Sequence, residues 1–234
     1  MYLGALLRYS VRARPFGLRM LSAQPRSSMG SVSAIDSRIL RNLFGTEEIR
    51  KAFDDNAYIH RCADVEAALA RAQSRRNVIP ADIGKLVTDR ISAAALDIER
   101  LRRETDIVGY QILPLDIMDT TVVLQMKTGL EIIEKGLKDI FKSLAALAEK
   151  HRQTPMAGRT HLQHALPITF GYKCAVWLSG FQRHLERLEQ LRPRTLLVQY
   201  GCAAESLVSL GQNGPRVRKE LAILASRVDD ARRH

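Results

Sequence analysis

The sequence predicts an all-α protein built on a bundle of long helices, and three observations carry that expectation. Val123, Met126, Leu130, Ile133, Leu137, Ile140, Leu144 and Leu147 fall at alternating spacings of three and four, a heptad seam held for more than three heptads without a proline. About 35 residues in one helix would span roughly 50 Å, too long for the core of one small domain, so the bundle is expected to be shared between subunits. From Asp36 onward no period-2 run of Val, Ile and aromatic residues lies between turn residues.

In chain order, residues 1–35 read as a leader. They carry Arg8, Arg12, Arg14, Arg19 and Arg26 and no acid, with Leu3, Leu6, Leu7 and Val11 near helical spacing, the composition of a mitochondrial transit peptide. The alternative is an untranslated or unordered stretch before a start at Met20 or Met29, which leaves the protein mitochondrial or cytoplasmic. Pro25, Ser27, Ser28 and Gly30 mark a boundary. Residues 36–115 read as an N-terminal helical domain and 116–234 as a partial central domain of long helices. Thr46 before Glu47 and Glu48 is a helix start, Asn56 is the expected cap of the next helix, and Pro80 opens another. Pro114 interrupts the chain before the seam. A plain two-stranded coiled coil would share that seam, but Val122, Leu124, Ile132 and Phe141 widen its apolar surface.

A polar break runs from Pro155 to Pro167. A second long helix is expected from Ile168 to Leu191, ending before Pro193, with Leu178, Phe181, Leu185 and Leu188 as its seam and Trp177 adding bulk. Asn213, Gly214 and Pro215 form a turn and helix start, and Val217, Leu221, Leu224 and Val228 give a last amphipathic stretch.

Composition narrows the function. Of 234 residues, 46% are hydrophobic, which suits a globular chain and argues against disorder. No apolar run approaches the roughly 18 residues of a membrane span, so no membrane partner is expected. Cys62, Cys174 and Cys202 are scattered and odd in number, which excludes a disulfide framework and any CxxC metal or redox motif. The net charge of +11 leaves a modestly positive body once the leader is set aside. That suits anionic substrates. It would also suit nucleic acid, but no nucleic-acid module appears, and a solvated basic surface is the plainer reading.

Chemistry concentrates in the break. Gly158, Arg159, Thr160, His161, Leu162, Gln163 and His164 bring a guanidinium, a hydroxyl, two imidazoles and an amide together beside a helix start. An anionic substrate needs such donors, and an imidazole can donate or accept a proton near neutral pH. By composition alone, two histidines in a surface loop are more often solvated than catalytic.

The run from Gly158 to Pro167, followed by Ile168 to Lys173, closely resembles the second signature region of the fumarase/aspartase superfamily, which includes fumarase, aspartase, argininosuccinate lyase, adenylosuccinate lyase and 3-carboxy-cis,cis-muconate cycloisomerase. Phe44 to Glu48, Asp64 to Gln73, Val78 to Asp82, Gly109 to Leu115, Asp116 to Thr120 and Leu191 to Arg194 look like the cycloisomerase branch. The resemblance covers about Arg38 to the end. It implies an all-α long-helix bundle of the fumarase/aspartase type, incomplete at its C-terminal end, in which four subunits pool their helices and each active site draws on three chains. It implies addition or elimination across a carbon–carbon bond beside a carboxylate, an anionic polycarboxylate substrate, and no metal or organic cofactor.

Carried over by position, His161 matches a general acid or proton relay. Thr160 and Gln163 match residues that bind substrate carboxylates, His164 fits the cycloisomerase pattern, and Arg159 lies near the anion site. Loop-fixing hydrogen bonds are the other reading of Thr160, Gln163 and Arg159. Adenylosuccinate lyase is the main competitor for the substrate.

Three departures qualify the resemblance. The family's first signature, His-Trp-Gly-Ala-Thr-Thr-Gln, falls where Leu115 here joins Asp116 directly, so only Asp116 of that motif remains, and Thr120 and Thr121 do not replace its hydroxyls. Cys202 and Glu205 stand where the family usually has glycines, adding side chains and a negative charge. The family's Ser-bearing loop, Gly-Ser-Ser-x-Met-Pro-x-Lys-x-Asn-Pro, has no counterpart. These residues alone are therefore expected to have little or no activity. Either the chain is a shortened member of this enzyme family, or it is a non-catalytic helical partner of a full-length relative.

Overall fold

The computed structural model describes residues 33, 37, 39–93, 97–109, 115–201 and 206–231. The leader, most of Gly109–Leu115, and Cys202 and Glu205 with their neighbours lie outside the described residues. The chain divides into two units, Met1–Glu47 and Glu48–His234. In the first, Ser37 Oγ accepts from the Ile39 and Leu40 amides ahead of a 3-10 turn at Arg41–Leu43, and Arg41 pairs with Glu47 at 2.6 Å.

The rest is helical, as the sequence predicts, with one addition. The helices are α1 (Glu47–Ala52), α2 (Asp55–Arg75), α3 (Ala81–Ala93), α4 (Ile98–Val108), α5 (Leu115–Lys150), α6 (Phe170–Thr195) and α7 (Asn213–Ala231). α2 is capped by Asp54 and not by Asn56: Asp54 has extended backbone and its carboxylate accepts from the Ala57 amide at 2.7 Å. Asn56 lies inside the first turn, where the cap is already supplied.

α5 runs 36 residues, about 54 Å, the single uninterrupted helix that the seam predicts. Its N-terminal half enters the core. Ile117 and Leu124 pack with Cys62, Val65, Ala68, Leu69 and Ala72 of α2 and with Val217, Leu221 and Leu224 of α7. Burial pushes the Cys62 thiol up from its ordinary pKa. Thr120 is fully buried and its hydroxyl clamps the chain at Gln199, donating to the carbonyl at 2.7 Å and accepting from the amide at 3.1 Å. Beside it the buried Tyr200 hydroxyl accepts from Gln73. On the edge of the core, buried Glu220 bridges Arg75 and Arg76 at 2.7 Å each.

The C-terminal half of α5 pairs with α6, which returns antiparallel: Glu134 binds Arg192, and Gly171 lies against Ala148 and Arg152. A Cβ at Gly171 would sit 2.5 Å from the Ala148 carbonyl oxygen, so the two helix ends meet only because this residue has no side chain. The pair covers the seam incompletely. Ile133, Ile140 and Leu147 of α5 and Val176, Trp177 and Leu191 of α6 stay exposed.

Two boundaries of α6 differ from expectation. It starts at Phe170, because the Thr169 hydroxyl caps it by accepting from the Tyr172 amide. It also runs through Pro193 to Thr195. A proline costs most in a helix interior, and here only two residues follow it, so the last turn closes through the Leu196 amide on Arg192.

The polar break between the long helices is the addition. It is an antiparallel ribbon of β1 (Pro155–Thr160) and β2 (Gln163–Thr169). Among the described residues no helix is long and apolar enough to cross a membrane, and no cluster of three metal-ligating side chains occurs.

Candidate functional site

The ribbon is mounted at the junction of α5 and α6. The Phe170 amide donates to Thr154 and the Gly171 amide to His151, each at 2.9 Å. The His151 ring stands edge-on to Phe170 and contacts the Thr154 hydroxyl at 3.2 Å. These contacts tie the base of the hairpin to two helix ends. Gly158 sits at a register shift between Ala157 and Arg159, where a Cβ would meet the Leu166 carbonyl oxygen at 2.7 Å.

At the tip, Thr160 pairs with Gln163 around a two-residue turn of His161 and Leu162. Both turn residues have positive φ, 48° and 63°. That is the geometry of a type I′ hairpin, which normally favours Asn-Gly. Each non-glycine residue held there costs about 1–2 kcal/mol. Strain retained at a polar tip is an observation from which function is inferred.

Thr160, His161, Gln163 and His164 are all exposed, and no hydrogen bond joins their side chains to another described residue. His164 lies beside Arg159 across the ribbon. The reading of these hydroxyl and amide groups as loop-fixing has no bond to support it. In sequence the hairpin lies within a one-sided stretch: no carboxylate occurs between Glu149 and Glu186, while Lys150, Arg152, Arg159, Lys173 and Arg183 do. Lys173 lies over the Trp177 ring at 5.0 Å. The field at this end favours an anion.

Asp116 is elsewhere. It lies in the first turn of α5, whereas the hairpin follows the last, about 50 Å away along the helix. One chain therefore brings Thr160, His161, Gln163 and His164 together and leaves Asp116 apart. Thr120 and Thr121, about one turn further along α5, are fully buried in the core.

Sequence reasoning missed the hairpin, its strained turn and its anchoring through His151, Thr154 and Phe170. The acid-free stretch from Lys150 to Leu185 was legible and marks the same end of the molecule.

Residues 114–232 match the family model described as lyase. The N-acetyl-S-(2-succino)cysteine lyase of Enterococcus italicus is 36% identical over 219 residues, covering 84% of this chain and 48% of the relative. A solved fumarate lyase from Mesorhizobium sp. BNC1 is 46% identical with a TM-score of 0.75, covering 78% of this chain and 48% of the other. The solved 3-carboxy-cis,cis-muconate lactonizing enzyme of Pseudomonas putida is 31% identical with a TM-score of 0.74, over 79% and 48%. The chain spans about half the length of the curated relatives it matches.

Proposed function

The chain belongs to the lyase family, with the all-α fold of its solved fumarate lyase relatives, and on that premise we propose that the hairpin tip is its share of a site that moves protons beside a substrate carboxylate. One observation carries the reading: a strained turn presents Thr160, His161, Gln163 and His164 open and unpartnered within a stretch that has no carboxylate. His161 is the proton carrier. One proton is removed or added at the carbon next to the carboxylate, and His161 exchanges the other with the atom that leaves or joins. Thr160 and Gln163, paired across the turn, donate to a substrate carboxylate, and His164 adds a third donor.

The substrate is an anionic polycarboxylate. The favoured one is a tricarboxylate diene of the 3-carboxy-cis,cis-muconate type, in which a carboxylate oxygen adds to a double bond and closes a lactone. The resemblance around Gln163–Pro167 and Asp116–Thr120 supports it. Adenylosuccinate and N-acetyl-S-(2-succino)cysteine share the same reacting element and are its competitors. No metal or organic cofactor enters this chemistry. The leader supports a mitochondrial location.

Asp116 reaches a hairpin only if another chain supplies it, and the exposed Ile133, Ile140 and Leu147 offer the surface for such an assembly. Four copies, or these chains with a full-length relative, would bring the two ends together. The separation also favours a second reading, a helical assembly partner with no turnover of its own.

The test is turnover of the three substrates by the purified chain, alone and co-expressed with a full-length relative. Little or no activity is expected alone. In the mixed assembly, His161→Asn in this chain should lower kcat by about a hundredfold or more per dependent site. Turnover unaffected by His161→Asn would leave only the partner reading.

A further inference from the structure

A second basic site lies on the helical body and shares no residue with the hairpin. α2 and α3 enclose an open groove of about 250 Å³ lined by Arg71, Ser74, Arg75, Lys85, Thr88 and Asp89, with Ala81 and Gly84 at its floor. Arg71 and Arg75 are one turn apart on the same face of α2, and Lys85 reaches in from α3. Three cations line one small space together with one carboxylate, Asp89.

The hydroxyls of the groove are already engaged. Ser74 accepts from the Gly84 amide and donates to Pro80, and Thr88 donates to Gly84 while accepting from Arg71 at 3.0 Å. They hold α3 against α2 and fix one edge of the Arg71 guanidinium, leaving its remaining N–H groups for another acceptor. Arg75 is partly neutralised by Glu220, which it shares with Arg76. The pKa of Arg71 is lowered first by burial and then by Arg75, with Asp64 opposing them. Lys85 has no ion pair among the described residues. Holding these like charges together is unfavourable, and an anion would relieve it.

We propose that this groove binds a small tetrahedral oxyanion, a free phosphate or the phosphoryl group of a small metabolite, through Arg71 and Lys85, with Arg75 contributing charge. The volume admits a phosphoryl group with a short body. The guanidinium suits two oxygens at once, while Lys85 acts as a point charge.

The experiment is calorimetric titration of the full chain with inorganic phosphate at constant ionic strength in chloride, with succinate as a planar carboxylate comparator. One saturable site is expected, with succinate binding more weakly. Lys85→Gln, an exposed change that leaves the α2–α3 contact intact, should weaken phosphate about fivefold to tenfold, and Asp89→Asn should tighten it about threefold. Circular dichroism of both variants should match the parent. No saturation below about 10 mM, equal affinity in parent and both variants, or succinate binding as tightly as phosphate would each overturn the proposal.

Discussion

Leu221 of α7 is fully buried in the core cluster with residues of α2 and α5, whereas Leu162, an identical side chain, stands 98% exposed at the hairpin tip. The two regions sit at opposite ends of α5 and resolve their polar groups in opposite ways. In the core, Thr120 and Glu220 are buried and each is matched, the hydroxyl to the Gln199 backbone and the carboxylate to two arginines. At the tip, a hydroxyl, two imidazoles and an amide are left open on and beside a strained two-residue turn. The difference teaches that polar groups at one end of α5 are matched within the chain, Thr121 excepted, while those at the other face solvent.

The sharpest way to break this comparison is to damage the core. Leu221→Ala should cost about 3 kcal/mol, because the removed methyls leave a cavity between three helices that cannot all collapse. Urea unfolding would measure it. A cost below about 1 kcal/mol would mean that α7 does not close the core as described.

The matched carboxylate comes next. Glu220→Ala strands Arg75 and Arg76, and because both arginines reach solvent the loss should be about 2 kcal/mol rather than the larger figure for a fully buried pair. The same pair sets a pH dependence. Bonds from Arg75 and then Arg76 hold Glu220 below the ordinary carboxylate value of 4.5. The unfolded chain therefore takes up this proton first as pH falls. The stabilisation is present above 4.5 and is lost as pH drops through the lower folded value. Glu220→Gln should flatten that part of the stability curve, and an unchanged acid limb would show that the bridge does not form.

A smaller effect separates the ribbon from its mount. Gly158→Ala places a Cβ against the Leu166 carbonyl, so the strands must part at the bulge. The expected cost is about 1 kcal/mol, confined to the ribbon. Hydrogen exchange should speed up in β1 and β2 and stay unchanged in α2 and α7. A global loss of protection would show that the ribbon is part of the core.

The two regions also differ in how far the sequence discloses them. The seam from Val123 to Leu147 sets the length of α5, because a helix half covered on one side imprints a 3.5-residue period on its composition. The hairpin imprints no period of two, since its outer part is exposed on both faces and its half-buried residues run consecutively at the base, so nothing selects alternation. Its turn also lacks Asn-Gly, and Pro155 and Pro167 argue against strands on propensity. The residues of the candidate site were visible as a linear run, but their mounting was not. The separation of Asp116 from the run, by contrast, follows from the seam itself, which places Asp116 at the start of one long helix and the run beyond its end.

The smallest effect on folding should fall at the centre of the proposed site. His161→Gly removes the strain of a side chain at φ 48° but adds the backbone freedom of glycine to the unfolded chain. These terms are similar in size and opposite in sign, so the net change should stay within about 0.5 kcal/mol. A structural residue cannot be removed so cheaply. If His161→Gly costs as much as Leu221→Ala, the tip is a folding element and the contrast between the two ends of α5 fails. If stability is kept while turnover of the mixed assembly falls about a hundredfold, the strain was held for the imidazole and not for the fold.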